Sequence, residues 1–249
     1  MIRVKGVSKS FGTQVVLRDV NLTIESGQTL AVVGPSGTGK SVLLKIVTGL
    51  LSADAGEVTV GNYLISSSSS ESERFHVTQQ MGILFQGAAL LDSITLYDNL
   101  AFPMRWKKKF GEKEIVKRCN HLMEEVGLAG LEELYPSEVP IGIRKRLGIA
   151  RALACDPDII LFDEPNTGLD PETGQEIYDL IKAVQTRRKV TGIVISHEIP
   201  EVFQICQLVV MLYGGNVQTV GTVDEFLKNE DPVVRQFVSG SVDGPIALS

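Results

Sequence analysis

Gly34-Pro35-Ser36-Gly37-Thr38-Gly39-Lys40-Ser41 has the spacing G-x-x-x-x-G-K-[ST] of a phosphate-binding loop, the P-loop. The apolar run Thr29-Leu30-Ala31-Val32-Val33 precedes it and reads as a buried strand. Val42-Leu43-Leu44-Lys45-Ile46-Val47 follows with a helical pattern. This strand–loop–helix setting is the context the motif requires, and a plain glycine-rich turn before a helix is the weaker reading. The glycines let the backbone curl so that its N–H groups point inward at phosphate oxygens, and the helix N-terminus adds a favourable dipole. Gly34, Pro35, Ser36, Gly37, Thr38, Gly39, Lys40, Ser41 and Val42 are therefore the candidate nucleotide-binding stretch. Lys40 is expected to reach the β- and γ-phosphates, and the Ser41 hydroxyl to ligate Mg²⁺.

The chain of 249 residues has room for one large α/β domain or two small ones, and its apolar content of 43% suffices for a core. A net charge of −6 argues against a general nucleic-acid binder, which carries a basic face. No apolar run approaches the ~18 residues a membrane span needs. The start, Met1-Ile2-Arg3-Val4-Lys5, does not read as a secretory signal. Cys119, Cys155 and Cys206 lack C-x-x-C spacing and read as reduced packing residues of a cytosolic protein, with no metal site.

Segment 2–28 alternates apolar and polar residues and carries turn signals at Phe11-Gly12-Thr13 and Ser26-Gly27, which predicts antiparallel strands. Further strands are predicted at Glu57-Val58-Thr59-Val60 and Met81-Gly82-Ile83-Leu84-Phe85. The serine run Ser66–Ser70 reads as a flexible loop. Between about 89 and 158 the pattern is helical: Ile115, Cys119, Leu122, Met123 and Val126 share a face, and a second helix runs from Gly142 to Cys155. A strand at Ile159-Ile160-Leu161-Phe162, a helix from Glu172 to Arg187 and a strand at Gly192-Ile193-Val194-Ile195 follow. From about 222 the chain reads as short helices, then irregular tail.

The strand at 159–162 runs into Asp163-Glu164-Pro165. Carboxylates at the C-terminal end of a buried strand stand in the crevice where α/β sheets bind ligands. Asp163 is placed to hold Mg²⁺, directly or through water, as the Walker B acid. Glu164 is placed to orient or deprotonate an attacking water. A solvated strand end is the plain alternative, which the upstream P-loop disfavours.

With these motifs in order, the chain resembles the nucleotide-binding subunit of an ATP-binding cassette (ABC) transporter, over nearly its whole length. The resemblance implies an α/β fold of the P-loop NTPase class: a RecA-like core with an antiparallel β subdomain and an inserted α-helical subdomain. It implies one cassette domain over 1–249, with 1–88 and 159–221 as catalytic core, 89–158 as helical subdomain and 222–249 as a C-terminal extension. It further implies that Phe11 stacks on adenine, that Gln86 is the Q-loop glutamine touching Mg²⁺ and water, that Gly168-Leu169-Asp170-Pro171 is the D-loop with Asp170 near the nucleotide, and that His197 is the switch histidine at the γ-phosphate. Stacking a base on an aromatic is worth ~1–3 kcal/mol. The implied cofactors are ATP and Mg²⁺. The implied activity is ATP hydrolysis by two copies packed head to tail, whose closure drives an integral membrane permease.

One motif departs from the family. The signature is normally Leu-Ser-Gly-Gly-Gln, whereas this chain reads Val139-Pro140-Ile141-Gly142-Ile143 before Arg144-Lys145-Arg146. Pro140 stands at the signature serine and Ile141 at the first glycine, so that Gly142 alone survives to meet the partner's nucleotide. Pro140 has neither hydroxyl nor N–H, and Ile141 adds bulk where backbone must approach phosphate. Each lost charge-assisted hydrogen bond costs ~1.5–3 kcal/mol. Folding and ATP binding are expected to survive, because proline is accepted in a first helical turn. Closure and turnover are expected to be weaker.

Within the family the flanks resemble the Mla-type group, which moves phospholipid between bacterial membranes with an MCE-domain partner. Pro136-Ser137-Glu138, Ala150-Arg151-Ala152-Leu153, Ser196-His197-Glu198-Ile199-Pro200-Glu201-Val202 and the tail Val234-Arg235-Gln236-Phe237-Val238 with Asp243-Gly244-Pro245-Ile246 carry this likeness. It implies a second ATPase subunit as dimer partner, a permease, MCE-domain lipid-binding and small auxiliary subunits, no nucleic acid, and a peripheral place on the cytoplasmic face of the inner membrane. The tail then acts as a dimer clasp, with a frayed end as the plain alternative. The basic stretch Arg105-Trp106-Lys107-Lys108-Lys109 reads as a solvated face, with contact to anionic headgroups or an acidic permease loop as the second option. Other readings are a cassette for another solute, a soluble cassette acting on ribosomes or DNA, or a regulatory module that binds ATP with low turnover.

Overall fold

The computed structural model describes residues 1–246. In chain order the elements are β1 (Ile2–Phe11), β2 (Gln14–Ile24), β3 (Thr29–Val33), α1 (Lys40–Val47), β4 (Ala55–Val60), β5 (Tyr63–Ser66), α2 (Glu71–Thr78), β6 (Met81–Leu84), α3 (Leu96–Lys107), α4 (Glu112–Glu125), α5 (Ile141–Leu153), β7 (Ile159–Asp163), α6 (Pro171–Arg188), β8 (Thr191–Ile195), β9 (Leu208–Tyr213), β10 (Asn216–Thr222), α7 (Val223–Leu227) and α8 (Pro232–Ser239). They fall into two compact units. One comprises Met1–Gln80 with the chain from Thr191 onward, and the other is Met81–Val190.

The first unit contains an antiparallel sheet in the order β2-β1-β4-β5. Its pattern follows from side chains alternating across a pleated strand. Ile2 and Val4 of β1 are buried while Arg3 and Lys5 are exposed, and a register shift between Val4 and Val7 brings Val7 to a buried position as well. The β1–β2 hairpin turns at Gly12-Thr13, so that Phe11 pairs with Gln14. The same unit holds a parallel arrangement in which β3 lies between β8 and β9, with Val32 opposite both Ile195 and Val210. All five residues of β3 and of β8 are buried, as expected of parallel strands covered on both faces.

The serine run forms the connection between β5 and α2, as expected of a loop, and its two ends are tied into the flanking elements. Ser66 ends β5, and Ser70 caps α2 through a reciprocal capping box: its hydroxyl accepts from the Glu73 N–H at 3.2 Å, and Glu73 Oε2 accepts from the Ser70 N–H at 2.7 Å. The cause is legible in Ser70-Glu71-Ser72-Glu73, an S-x-x-E signal inside a compositionally biased stretch.

The tail is tied to its own chain. Gln236 of α8 is buried. Its amide donates to the carbonyls of Ser241 and Ile246 and accepts from the Ile246 N–H at 2.6 Å, while the Tyr213 hydroxyl donates to the Pro245 carbonyl. Residues 247–249 of the expected extension lie outside the described residues.

In the second unit β6 and β7 pair in parallel, with Leu84 opposite Phe162. The helix α5 lies close on β6 because glycines face it. A Cβ on Gly82 would stand 2.2 Å from the Ala152 carbonyl oxygen, and one on Gly148 2.5 Å from Leu84 Cδ1. In α4 the residues Ile115, Cys119, Leu122 and Met123 are the buried face, as their spacing predicts. Burial pushes the Cys119 thiol up to about 11 and the Cys206 thiol, in the first unit, up to about 12, so both are neutral packing groups at pH 7. All three cysteines are free. Among the described residues, no helix is long and apolar enough to cross a membrane.

Candidate nucleotide site

The phosphate-binding loop leaves β3 and enters α1 within the first unit. Two of its glycines are required sterically. Gly34 has φ +137°, and a Cβ there would stand 2.3 Å from the Leu212 carbonyl oxygen. Gly39 caps α1 in the left-handed region at φ +99°, and its Cβ would meet Leu17 Cδ2 at 2.8 Å. The loop is thus wedged between β2 and the end of β9, with its open side left for a ligand. Ser36, Gly37 and Ser41 are exposed, and Pro35, Thr38 and Val42 half-buried. Lys40 is buried at 8% exposure, with its ammonium donating to the Gly34 and Pro35 carbonyls at 2.8 Å each. Thr38 Oγ1 donates to the same Pro35 carbonyl at 2.9 Å. The lysine is therefore folded over its own loop, where its charge already interacts with inward-turned carbonyls.

Phe11 and His197 belong to the same unit. Phe11 is 50% exposed at the tip of the β1–β2 hairpin, with the Lys9 ammonium 5.4 Å from its ring centroid. This exposure fits a stacking platform and not a core residue. A few residues on, Val16 and Leu17 of β2 touch Gly39, which links the hairpin to the loop. His197 is exposed and follows β8. Because Val32 is in register with Ile195, Gly34 and His197 leave the same C-terminal edge of two adjacent parallel strands.

The carboxylates and the Q-loop residue lie in the second unit. The register Leu84–Phe162 brings Gln86 and Glu164 to equivalent positions, each two residues past that pair. Gln86 Nε2 donates to Glu164 Oε2 at 2.9 Å, and Thr167 Oγ1 donates to the same oxygen at 3.0 Å. Asp163 is the last residue of β7 and half-buried. Glu164 has φ +47°, in the region that L-residues seldom occupy. Asp170 caps α6, accepting from the N–H and hydroxyl of Thr173. Those bonds hold its carboxyl below the usual range.

The signature segment shows its departure in geometry. Pro140 is the N-cap of α5 and supplies no side-chain acceptor to the first-turn amides. Ile141 is 37% exposed at the helix start. Gly142 is buried, and a Cβ on it would stand 2.8 Å from Thr173 Cγ2, so packing of α5 against α6 is one sufficient reason for this glycine.

Sequence reasoning missed Thr167, Lys145 and the left-handed backbone of Glu164. Lys145 sits on the side of α5 shared with Gly148, Ile149 and Ala152, at i+3, i+4 and i+7, all buried. That periodicity marks it as an inward cation.

A family model described as ABC transporter matches residues 17–167, more than half the chain. The probable ribonucleotide transport ATP-binding protein mkl of Mycobacterium leprae is 39% identical over 249 residues, covering 100% of this chain and 71% of that protein. The intermembrane phospholipid transport system ATP-binding protein MlaF of Haemophilus influenzae is 38% identical over 246 residues, covering 99% and 93%. A dimeric ATP-binding cassette solved in a post-hydrolysis state with ADP and Pi superposes with a TM-score of 0.80 at 29% identity, covering 90% of this chain and 99% of that one. A glycine-built phosphate loop and a strand-end Asp-Glu pair, in a chain with these relatives, make it a member of the ABC transporter family, an ATP-binding cassette ATPase.

Proposed function

We propose that this ATPase powers a membrane transporter of phospholipids. The observation that carries the reading is likeness over essentially full length to two MlaF proteins named for intermembrane phospholipid transport, from Haemophilus influenzae and, at 34% identity, Escherichia coli. The mycobacterial relatives are named for ribonucleotide transport, which keeps a second cargo class in view.

On this reading Phe11 stacks on adenine, and the amides of residues 34–42 with Lys40 hold the phosphates. To do so, Lys40 exchanges its bonds to the Gly34 and Pro35 carbonyls for phosphate oxygens. Ser41, Asp163 and Gln86 are the oxygen donors that fit magnesium, a hard cation that takes one or two protein carboxylates and the substrate's phosphates. Bound there, the ion would neutralise phosphate charge. Glu164 orients the attacking water and accepts its proton. The Gln86 and Thr167 bonds hold its carboxylate in place for this, and those donors are shared with the water as it enters. His197 donates to the γ-phosphate. Asp170 and the Gly142 region serve the nucleotide of a second copy, head to tail, and Pro140 and Ile141 weaken that contact. Two such copies dock on a permease at the cytoplasmic face of the inner membrane, with MCE-domain and small auxiliary subunits as further partners.

Purification of the tagged chain from its native membrane, with mass spectrometry of bound proteins and lipids, tests the cargo. Recovery of a permease, an MCE-domain protein and phospholipid is expected. A permease accompanied by a soluble-solute receptor would contradict the lipid assignment and leave the ATPase standing. The clasp reading requires the tail to give up its bonds to Gln236 and Tyr213. Truncation after Gly240 is expected to lower the dimer fraction by mass, and an unchanged dimer removes the clasp.

A further inference from the structure

The helix that carries the altered signature also turns two cations inward, Lys145 fully buried and Arg151 half-buried. Lys145 is 0% exposed, and its ammonium donates to the main-chain carbonyl of Gln86 and, at 3.1 Å, to that of Glu164. Six residues on, Arg151 donates to the carbonyls of Ala88 at 2.6 Å and Ala89 at 2.8 Å. Three of the four residues so held have left-handed backbones: Glu164 at φ +47°, Ala88 at +59° and Ala89 at +48°. Non-glycine residues persist in that region where the surroundings over-determine them, and such strain gathers at functional sites. A buried ammonium donating to neutral carbonyls is a costly arrangement that an apolar side chain of similar length would avoid. Burial pulls Lys145 below the usual lysine range, while the charges of Glu164 and Asp163 pull it back.

The two residues whose carbonyls Lys145 joins are the same two whose side chains pair at 2.9 Å. The ammonium therefore cross-links the main chain beneath the pair. It does so from α5, which close packing through Gly82 and Gly148 holds against β6. We infer that Lys145 is a positioning residue for ATP hydrolysis: it locks the Gln86 and Glu164 peptides together, so that the left-handed Glu164 presents its carboxylate in the attitude the water requires. The same bond hands any displacement of α5 directly to the hydrolytic carboxylate. This inference rests on the assignment of Glu164 and Gln86 above. Its content is a role in the rate of hydrolysis, separate from nucleotide binding and from folding.

The test uses the full chain with MgATP. Lys145→Met removes both donors at similar volume. It is expected to lower kcat by about 10- to 100-fold, the effect of a misplaced catalytic group, with KM for MgATP and the thermal unfolding midpoint nearly unchanged. Lys145→Arg, which keeps a cation and several donors, is expected to recover a substantial part of kcat. In a Glu164→Gln background the added Lys145→Met is expected to change the single-turnover rate by less than about twofold, because the group it positions is gone. Should the Met variant fail to fold, Lys145→Gln carries the same expectation of reduced kcat at unchanged KM. A kcat within about twofold of wild type in the Met or Gln variant overturns the inference, as does a parallel fall of kcat, KM performance and unfolding midpoint without rescue by arginine. Failure of the underlying assignment looks different: Glu164→Gln itself would then turn over normally.

Discussion

Two helix N-termini in this chain carry opposite equipment. At α1 the backbone is stripped of side chains where contact is needed. Gly34 and Gly39 sit where a Cβ would collide with Leu212 and Leu17, and the buried ammonium of Lys40 stands over the loop. At α5 the N-cap is Pro140, which has no N–H and offers no side-chain acceptor, and Ile141 projects partly into solvent behind it. Both helices form, because a helix tolerates proline at its start as readily as it tolerates a left-handed glycine. The difference teaches that a helix dipole does not by itself make an anion site. The donors and the room for close approach come from particular residues, and one terminus has kept them while the other has lost them.

The largest effect that sharpens this contrast lies at the carboxylate. Glu164→Gln keeps the shape and the hydrogen bonds of the side chain but removes its basicity. It is expected to lower kcat by about 10²- to 10⁴-fold while MgATP binding at α1 is retained. Steady-state ATPase rates with calorimetry on the same sample check both halves, and a variant that turns over at the wild-type rate contradicts the role. Next is the degenerate terminus itself. Pro140→Ser with Ile141→Gly restores a hydroxyl and removes bulk, and one recovered charge-assisted bond of ~1.5–3 kcal/mol is expected to raise kcat about tenfold or more. No rise in ATPase rate would show that α5 has another way of meeting phosphate. The smallest effect tests the base. Phe11→Ala is expected to weaken ATP binding about fivefold, the lower end of ~1–3 kcal/mol because the ring is half exposed. The affinity for inorganic triphosphate should stay unchanged. Equal losses for ATP and triphosphate would mean that Phe11 supports the loop and does not stack.

Much of this architecture is legible in the chain because it rests on local necessities. A fully apolar five-residue run before a glycine-rich octet forces the β3–loop–α1 unit, and the spacing of Ile115, Cys119, Leu122 and Met123 predicts the buried face of α4. The strand end at Asp163 follows from four apolar residues meeting two acids. What escaped depends on context. The serine run conceals the capping box of Ser70 and Glu73 because composition and local hydrogen bonding point in different directions there. Lys145 escaped because three consecutive cations in α5 look alike in sequence, and the packing of Gly148 on Leu84 turns this one inward. The left-handed backbone of Glu164 leaves no mark in residue type, since nothing about a glutamate announces a positive φ.

Calorimetric titration of MgATP into the full-length wild type and Lys40→Ala tests the central claim most directly. Saturable heat from the wild type is expected, with affinity reduced roughly 10- to 100-fold in the variant, the effect of losing charge-assisted hydrogen bonds of ~1.5–3 kcal/mol. Absence of binding heat in the wild type, or equal affinity in the two proteins, would contradict the account.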